Sequence, residues 1–182
     1  MPRRRGVTRP PLPRRAIVWF PPADLVADVE RFRALHDPLA GTLPAHVTLV
    51  FPFASALGAV QVAAHVRRAV ARWPALPVRL QGLSHIHADW LHVRVTRGAE
   101  ALTALHDRLY AGSLAPFLRP EFTYEPHLTI ARTAPDHDCD ALLARAAALD
   151  LGRPRDAIVR TLTLCTLRPD GTLATDEEFG LG

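Results

Sequence analysis

The chain has 182 residues, of which 48% are hydrophobic, and this length and composition fit one domain or two small lobes that share an interface. Its 22 basic residues outnumber its 18 acidic residues, and every one of them is arginine. The absence of lysine excludes a P-loop, a Schiff-base enzyme and a ligase that forms a nucleotidyl-lysine. No apolar run approaches the roughly 18 residues of a membrane-spanning helix, so we expect no membrane partner.

Positive charge is concentrated in the first 15 residues, MPRRRGVTRPPLPRR, which contain six arginines and no acidic residue. The rest of the chain holds 16 basic and 18 acidic residues, so its formal charge is −2. We predict that residues 1–15 form a disordered basic tail and that residues 16–182 form a single bilobal domain. Such a tail attracts phosphate chains only weakly, so the basic composition alone does not indicate a nucleic-acid-binding protein.

The two cysteines, Cys139 and Cys165, are too few to form a disulfide framework. Cys165 lies in the apolar run LTLCTL, which predicts a buried, reduced thiol. The N-terminal charges are not followed by the apolar segment of a secretory signal. These features predict a cytoplasmic protein, with a monomer as the default oligomeric state.

From the tail onward, short apolar runs alternate with segments of helical periodicity. The predicted strands are 16–20, the run from 46 to Pro52, 76–87, 89–95, the run after Pro126, 157–167 and an edge strand in the last residues. The predicted helices begin after Asp24 and then cover about 59–73, 99–111 and 139–149. The first helix is expected to bury Leu25, Val29, Phe32 and Leu35. This order predicts an α+β fold of two pseudo-symmetric lobes, each with a mostly antiparallel sheet and flanking helices, and an active-site cleft between them.

Two of the predicted strands carry the same motif, in PAHVTLVFPF (44–53) and in EPHLTIAR (125–132). His46 and Thr48 reappear as His127 and Thr129, 81 residues further along the chain. Because alternate side chains of a strand share a face, each His–Thr pair points one way. The alternation predicts Val50 on the face of the first pair and puts the apolar residues on the opposite faces, namely Val47, Leu49 and Phe51, and Leu128 and Ile130. If the two lobes face each other, both pairs line one cleft.

Two imidazoles and two hydroxyls in one cleft suit phosphodiester chemistry. The unperturbed pKa of histidine, near 6.5, allows one ring to act as a base and the other as an acid at neutral pH. Threonine hydroxyls are able to donate hydrogen bonds to the non-bridging phosphate oxygens, where negative charge develops. Such a mechanism requires no metal, no cofactor and no covalent intermediate.

At these residues the sequence resembles the two-histidine (2H) phosphoesterases, which include the 2′-5′ RNA ligase and cyclic nucleotide phosphodiesterase proteins. The signature of that family is two His-x-Thr/Ser motifs, each followed by a hydrophobic residue, with one motif in each lobe. HVTL at 46–49 and HLTI at 127–130 match this signature. The resemblance extends from about residue 15 to the end, and it includes the W-x-x-V stretch at 90–93 and the closing FGLG.

The resemblance implies metal-independent cleavage of 2′,3′-cyclic or 2′-5′ phosphodiesters, with reversible 2′-5′ ligation as an accompanying reaction. It assigns His46 and His127 as the acid–base pair, and Thr48 and Thr129 as the residues that hold the phosphate. Arg132, which follows the second motif, adds a charge-assisted contact, although strict alternation places it on the face opposite His127. The implied partner is an RNA end or a nucleotide, and no cofactor is implied.

Other polar residues allow alternative interpretations. In HIHADWLH, the set of His85, His87, Asp89 and His92 matches either a metal site or the border of the cleft, and DHDCD at 136–140 matches either a metal site or the start of a helix. Phe51 and Tyr124 are able to stack on a base or ribose, but core packing is the simpler interpretation for both. Three further histidines are expected on solvated helix faces, namely His36, His65 and His106.

A second class of function uses the same cleft. A non-catalytic module would hold a nucleotide or an RNA end there without turnover. The presence of both histidines and both threonines favours catalysis, because binding alone does not require two titrating groups.

Overall fold

The computed structural model describes residues 12–87, 90–132 and 139–182, and these ranges contain both strands and helices. The strands in these ranges are Arg14–Trp19 (β1), Val47–Ala54 (β2), Leu76–His87 (β3), Trp90–Arg97 (β4), His127–Arg132 (β5), Arg155–Val159 (β6), Thr161–Leu167 (β7) and Leu173–Gly180 (β8). The α-helices are Ala27–His36 (α1), Ala59–Val70 (α2), Ala99–Leu109 (α3) and Cys139–Ala148 (α4), and a 3-10 helix covers Gly112–Phe117. No helix of the described part is long and apolar enough to span a membrane.

Most predicted elements are present, with differences at their ends. β1 begins at Arg14, so the last two residues of the predicted tail belong to the fold, and the Arg15 guanidinium donates to the carbonyl oxygen of Leu57 at 3.0 Å. The first eleven residues of that tail lie outside the described residues, as do residues 88 and 89 between β3 and β4. The predicted strand over 157–167 is interrupted at Arg160, which separates β6 from β7.

All strand pairs in the described part of the chain are antiparallel and form one sheet of eight strands in the order β6-β3-β4-β5-β2-β1-β7-β8. The order divides into lobe 1 (β2, β1, β7 and β8) and lobe 2 (β6, β3, β4 and β5). The lobes meet where β2 lies beside β5, and the two strands are paired there only at Val47 and Leu128. The predicted α+β fold with two pseudo-symmetric lobes is therefore confirmed.

The sheet is strongly curled. β6 and β7 stand six places apart in the strand order, and Arg160 alone links them in sequence. In a flat sheet the two strands would be roughly 29 Å apart, since neighbouring strands are spaced by about 4.8 Å. One linking residue spans only about 7 Å. The sheet therefore bends until its two ends approach each other.

The helices cover the apolar side of the sheet and cross between the lobes. α1 connects two strands of lobe 1 but packs on β5, and α3 connects two strands of lobe 2 but packs on β2 as well as on β3 and β4. Leu102, Leu105 and Leu109 of α3 are fully buried. Val29 and Phe32 of α1 are buried as predicted, but Leu35 is 77% exposed, because the buried side of α1 continues through Arg33 instead.

We expect Gly98→Ala to lower the free energy of unfolding more than Gly171→Ala does. Both glycines have a φ near +80°, where an alanine costs about 1–2 kcal/mol. At Gly98, between β4 and α3, a Cβ would lie only 2.6 Å from the carbonyl oxygen of Pro77, and overpacking costs a further ~1–3 kcal/mol. At Gly171 no described heavy atom lies within 4 Å of the Cβ position. Urea unfolding of both variants measures the difference, and equal losses would contradict the prediction.

Candidate active site

The two His-x-Thr segments occupy equivalent places in the two lobes. Thr48 of β2 lies directly opposite Val18 of β1, and Thr129 of β5 lies directly opposite His92 of β4. The pairs next to them correspond as well, and they are Trp19–Val47 and Val93–Leu128. Because directly opposite residues project from the same side of a sheet, each threonine shares a face with its partner on the neighbouring strand.

A β-bulge follows each threonine. In lobe 1 the pairing passes from Thr48 to Val50 and leaves Leu49 as an extra residue, so Leu49 and Val50 are both fully buried. The extra residue reverses the alternation that follows it. Val50 therefore faces the core, and Phe51 lies on the face of Thr48, so the predicted faces of both residues are wrong.

The second bulge brings Arg132 to the side of the sheet that carries His127. The pairing passes from Thr129 to Ala131, and both Ile130 and Ala131 are fully buried. Arg132 consequently projects from the same face as His127 and Thr129. Its guanidinium carbon lies 3.8 Å from the ring centroid of Trp90, the residue directly opposite on β4.

Both motif histidines are held in the same way by the backbone that precedes them. Nδ1 of His46 lies 2.8 Å from the carbonyl oxygen of Pro44, and Nδ1 of His127 lies 2.6 Å from that of Glu125. A carbonyl oxygen only accepts hydrogen bonds, so Nδ1 carries the proton in both rings. Nε2 is therefore the atom that takes up and releases a proton in each ring.

A buried ion pair fixes the loop that leads into His46. The guanidinium of Arg33, which is 2% exposed, donates to the Asp37 carboxylate at 2.8 and 3.1 Å and to the carbonyl oxygen of Leu43 at 2.8 Å. The carboxylate of Glu30 accepts from the backbone N–H of Ala45 at 2.5 Å. Because these contacts tie α1 to the residues just before β2, they restrict the position of the His46 backbone.

Burial, together with the nearby Arg33 and His127, holds the pKa of His46 below its usual value. The hydrogen bond to the Pro44 carbonyl and the charge of Asp37 act in the opposite direction. His46 is therefore mainly neutral at pH 7, with its Nε2 unprotonated. That His127 contributes to this effect shows that the two motif histidines lie within electrostatic range of each other.

Side chains from lobe 2 replace the strand pairing that β2 lacks beyond Val47. The Tyr124 hydroxyl donates to the carbonyl oxygen of Thr48 at 2.9 Å, and His106 Nδ1 donates to that of Leu49 at 2.7 Å. The backbone N–H of Phe51 donates to the Tyr110 hydroxyl at 3.0 Å. The rings of Tyr124 and His106 are stacked with centroids 3.8 Å apart.

Tyr124, Tyr110 and His106 therefore hold the backbone of the first motif. The predicted solvated position of His106 is wrong, because it is 3% exposed and bonded to β2. His65 was also expected to be solvated, but it is 8% exposed and its Nε2 lies 2.8 Å from the Leu109 carbonyl oxygen. Helical periodicity alone misses both contacts, because a histidine on a helix is compatible with either environment.

His92 of β4 is a second histidine in lobe 2, and it lies beside His127. It is 1% exposed, and its ring centroid lies 4.0 Å from that of His127. Ser84 of β3 lies opposite His92, whereas His85 lies opposite Leu91 and is exposed. The alternative of a metal site with His85 and His92 is therefore wrong. In the described part of the chain, no group of three or more His, Cys, Asp or Glu residues is arranged to hold a metal ion.

The other candidate metal ligands, which are the side chains of His87 and Asp89 and the segment 136–138, lie outside the described residues.

A cavity of about 690 Å³ lies beside His127, between β4, α3 and the approach to β5. Its lining includes polar and charged side chains, which are Arg94, Thr96, Glu100, Thr103, Asp107, Tyr124 and Glu125. A substrate group bound next to His127 therefore meets both signs of charge.

The chain is similar to known proteins in sequence. The sequence profile of the 2′-5′ RNA ligase superfamily matches residues 21–170. A protein of Geobacillus kaustophilus named "Putative phosphoesterase" is 30% identical over 122 residues, which cover 65% of this chain and 69% of the relative. A protein of Bacillus licheniformis with the same description is 24% identical over 171 residues, which cover 91% of this chain and 97% of the relative.

Solved structures share the fold. Escherichia coli LigT complexed with 3′-AMP superimposes with a TM-score of 0.65 at 18% identity, covering 94% of this chain and 98% of that one. A crystal structure described as a phosphoesterase gives a TM-score of 0.61 at 20% identity, covering 93% and 98%. The curled antiparallel sheet and the paired His-x-Thr strands define a two-histidine phosphoesterase. The chain belongs to the 2′-5′ RNA ligase superfamily.

We expect the His46 ring to titrate below pH 6.5 in the free protein. Its pKa in the folded state lies below the value of an unfolded chain, so protonation costs free energy in the folded state. The contribution of neutral His46 to the free energy of unfolding is therefore present above pH 6.5. It is lost as the pH falls through the pKa that His46 has in the folded state. NMR titration of the ring protons, assigned with a His46→Gln variant, measures the midpoint. A midpoint above 6.5 would be incompatible with this environment.

Proposed function

We propose that the protein is a metal-independent phosphodiesterase that acts on 2′,3′-cyclic phosphates or 2′-5′ linkages of RNA or nucleotides. The observation that carries the proposal is the equivalent placement of His46 and His127, with Nδ1 of each ring bonded to the carbonyl two residues earlier. Two histidines with oriented Nε2 atoms supply one proton acceptor and one proton donor. The crystal structure of Escherichia coli LigT in complex with 3′-AMP supports a nucleotide ligand.

In the proposed reaction, one histidine takes a proton from water through Nε2 while the water oxygen attacks the phosphorus of the cyclic diester. The bond from phosphorus to one ribose oxygen breaks, and the other histidine gives its Nε2 proton to that oxygen. The product is a phosphate monoester. His46 suits the accepting role, since its lowered pKa leaves Nε2 unprotonated at neutral pH. With the 5′-hydroxyl of a second nucleotide in place of water, the same steps form a 2′-5′ linkage, and their reverse cleaves that linkage to the cyclic phosphate and the free 5′-hydroxyl.

Thr48 and Thr129 are proposed to donate hydrogen bonds to the two non-bridging phosphate oxygens. Both side chains are half-buried and share the face of their histidines. Arg132 is proposed to contact the same phosphate, a role that the bulge at Ile130 and Ala131 makes sterically accessible. The cytoplasmic location, the monomeric state and the single bilobal domain over 16–182 remain predictions.

We expect His46→Ala and His127→Ala each to lower kcat on adenosine 2′,3′-cyclic phosphate by about 100- to 10,000-fold, because each removes one proton-transfer group. The reaction is measured with EDTA present and followed from pH 5 to 9, where the wild type should give a bell-shaped profile.

In the same assay, Thr48→Val and Thr129→Val should each lower kcat by about 100-fold, since each removes one hydrogen-bond donor to the negative charge that develops on the phosphate oxygens.

His36→Ala serves as the matched histidine control. His36 is half-exposed at the end of α1 and packs on Phe32, outside the cleft, so its loss should leave turnover at the wild-type level. If the wild type binds the cyclic phosphate tightly but releases no product, the protein is a binding module instead. If either motif variant keeps wild-type turnover, the two-histidine mechanism is incorrect.

A further inference from the structure

The lobe 1 wall of the cleft is apolar on β1, whereas Thr163 and Glu178 lie further across the same face of the sheet. Ala16, Val18 and Cys165 form a buried cluster separate from the main core, on the same side of the sheet as Thr48. Phe20 packs on this cluster, and its ring centroid lies 6.1 Å from that of His46. Burial raises the pKa of the Cys165 thiol to about 11, so the thiol adds no charge to the wall at neutral pH.

The equivalent place in lobe 2 carries a cation where lobe 1 has the Phe20 ring. When the strand pair β1–β2 is aligned with the strand pair β4–β5 on Thr48 and Thr129, His92 is equivalent to Val18. Two residues further along the strand, Arg94 is equivalent to Phe20. Arg94 lies directly opposite His127 on the neighbouring strand, so both side chains leave the sheet on the same side. Cα atoms of such pairs are only about 4.5–5.5 Å apart. The Arg94 side chain is exposed, so a ligand bound at His127 has access to it.

The Arg94 guanidinium lies against the backbone of Gly82 on β3. A Cβ placed on Gly82 would be 3.0 Å from Arg94 Nη2 and 3.6 Å from Nε, so the absence of a side chain leaves the space that the guanidinium fills. Gly82 has a φ of +80°, which a residue with a side chain rarely adopts. Within the described ranges, no carboxylate forms an ion pair with Arg94. Its five N–H donors are therefore available to an anionic ligand.

We propose that Arg94 binds a second phosphate group of the substrate, so that the enzyme prefers cyclic phosphates that carry another phosphate. This inference rests on the proposed function. An arginine fork matches the geometry of a phosphate, and lobe 1 has an aromatic ring rather than a cation at the equivalent place. Glu100, Asp107 and Glu125 line the cavity that Arg94 borders. These carboxylates disfavour a polyphosphate, so the second anionic group is a single monoester or diester phosphate.

The test compares three substrates: adenosine 2′,3′-cyclic phosphate, its 5′-phosphorylated form, and a dinucleotide that ends in the same cyclic phosphate. At constant ionic strength and with EDTA present, we expect the wild type to show a KM about tenfold lower for a substrate with the second phosphate, as a charged hydrogen bond typically provides. In Arg94→Gln the KM values should converge. Preference for the 5′-monoester indicates a nucleotide substrate, whereas preference for the dinucleotide indicates an RNA end.

Arg97→Gln is the matched control. Arg97 lies on the same strand and carries the same charge, but it is paired with Asp156 at 2.7 Å, so its loss should leave the substrate preference unchanged. Equal KM values in the wild type, or a preference that survives Arg94→Gln, would overturn the role of Arg94 while leaving the phosphodiesterase intact. A lack of turnover on all three substrates would overturn the proposed activity on cyclic phosphates and this inference with it.

Discussion

The contact between β2 and β5 is the constraint on which the site depends. The two strands pair at a single position, Val47 with Leu128, and beyond it the backbone of β2 needs other hydrogen-bond partners. Tyr124, His106 and Tyr110 supply them from lobe 2. The space between the lobes therefore stays open beside the histidines without leaving these buried backbone groups unsatisfied.

The two bulges give each motif the same backbone and leave the side chains free to differ. After each threonine, one extra buried residue reverses the alternation of the strand. Phe51 in lobe 1 and Arg132 in lobe 2 therefore face the cleft. A symmetric frame thus carries an asymmetric set of groups. A phosphodiester also has two different sides, because one oxygen leaves and the other stays bonded to phosphorus, and an asymmetric set of groups is able to distinguish them.

The sequence predicts the parts of the fold that local patterns control. The strand at 76–87 and the buried leucines of α3 are present as predicted, because periodicity and burial agree there. The orientation of Arg132 is not predictable in this way, since a bulge depends on the pairing partner and leaves the apolar run unchanged. His106 was missed for a similar reason: its partner, the Leu49 carbonyl, is 57 residues away in sequence.

The exchange of helices between the lobes has a consequence for how the protein unfolds. α1 connects two strands of lobe 1 but packs on β5, and α3 connects two strands of lobe 2 but packs on β2 as well as on β3 and β4. Lobe 1 also combines β1 and β2 with β7 and β8 from the other end of the sequence. Neither lobe is therefore a continuous segment that covers its own surface, so the two lobes are expected to unfold together in one cooperative transition.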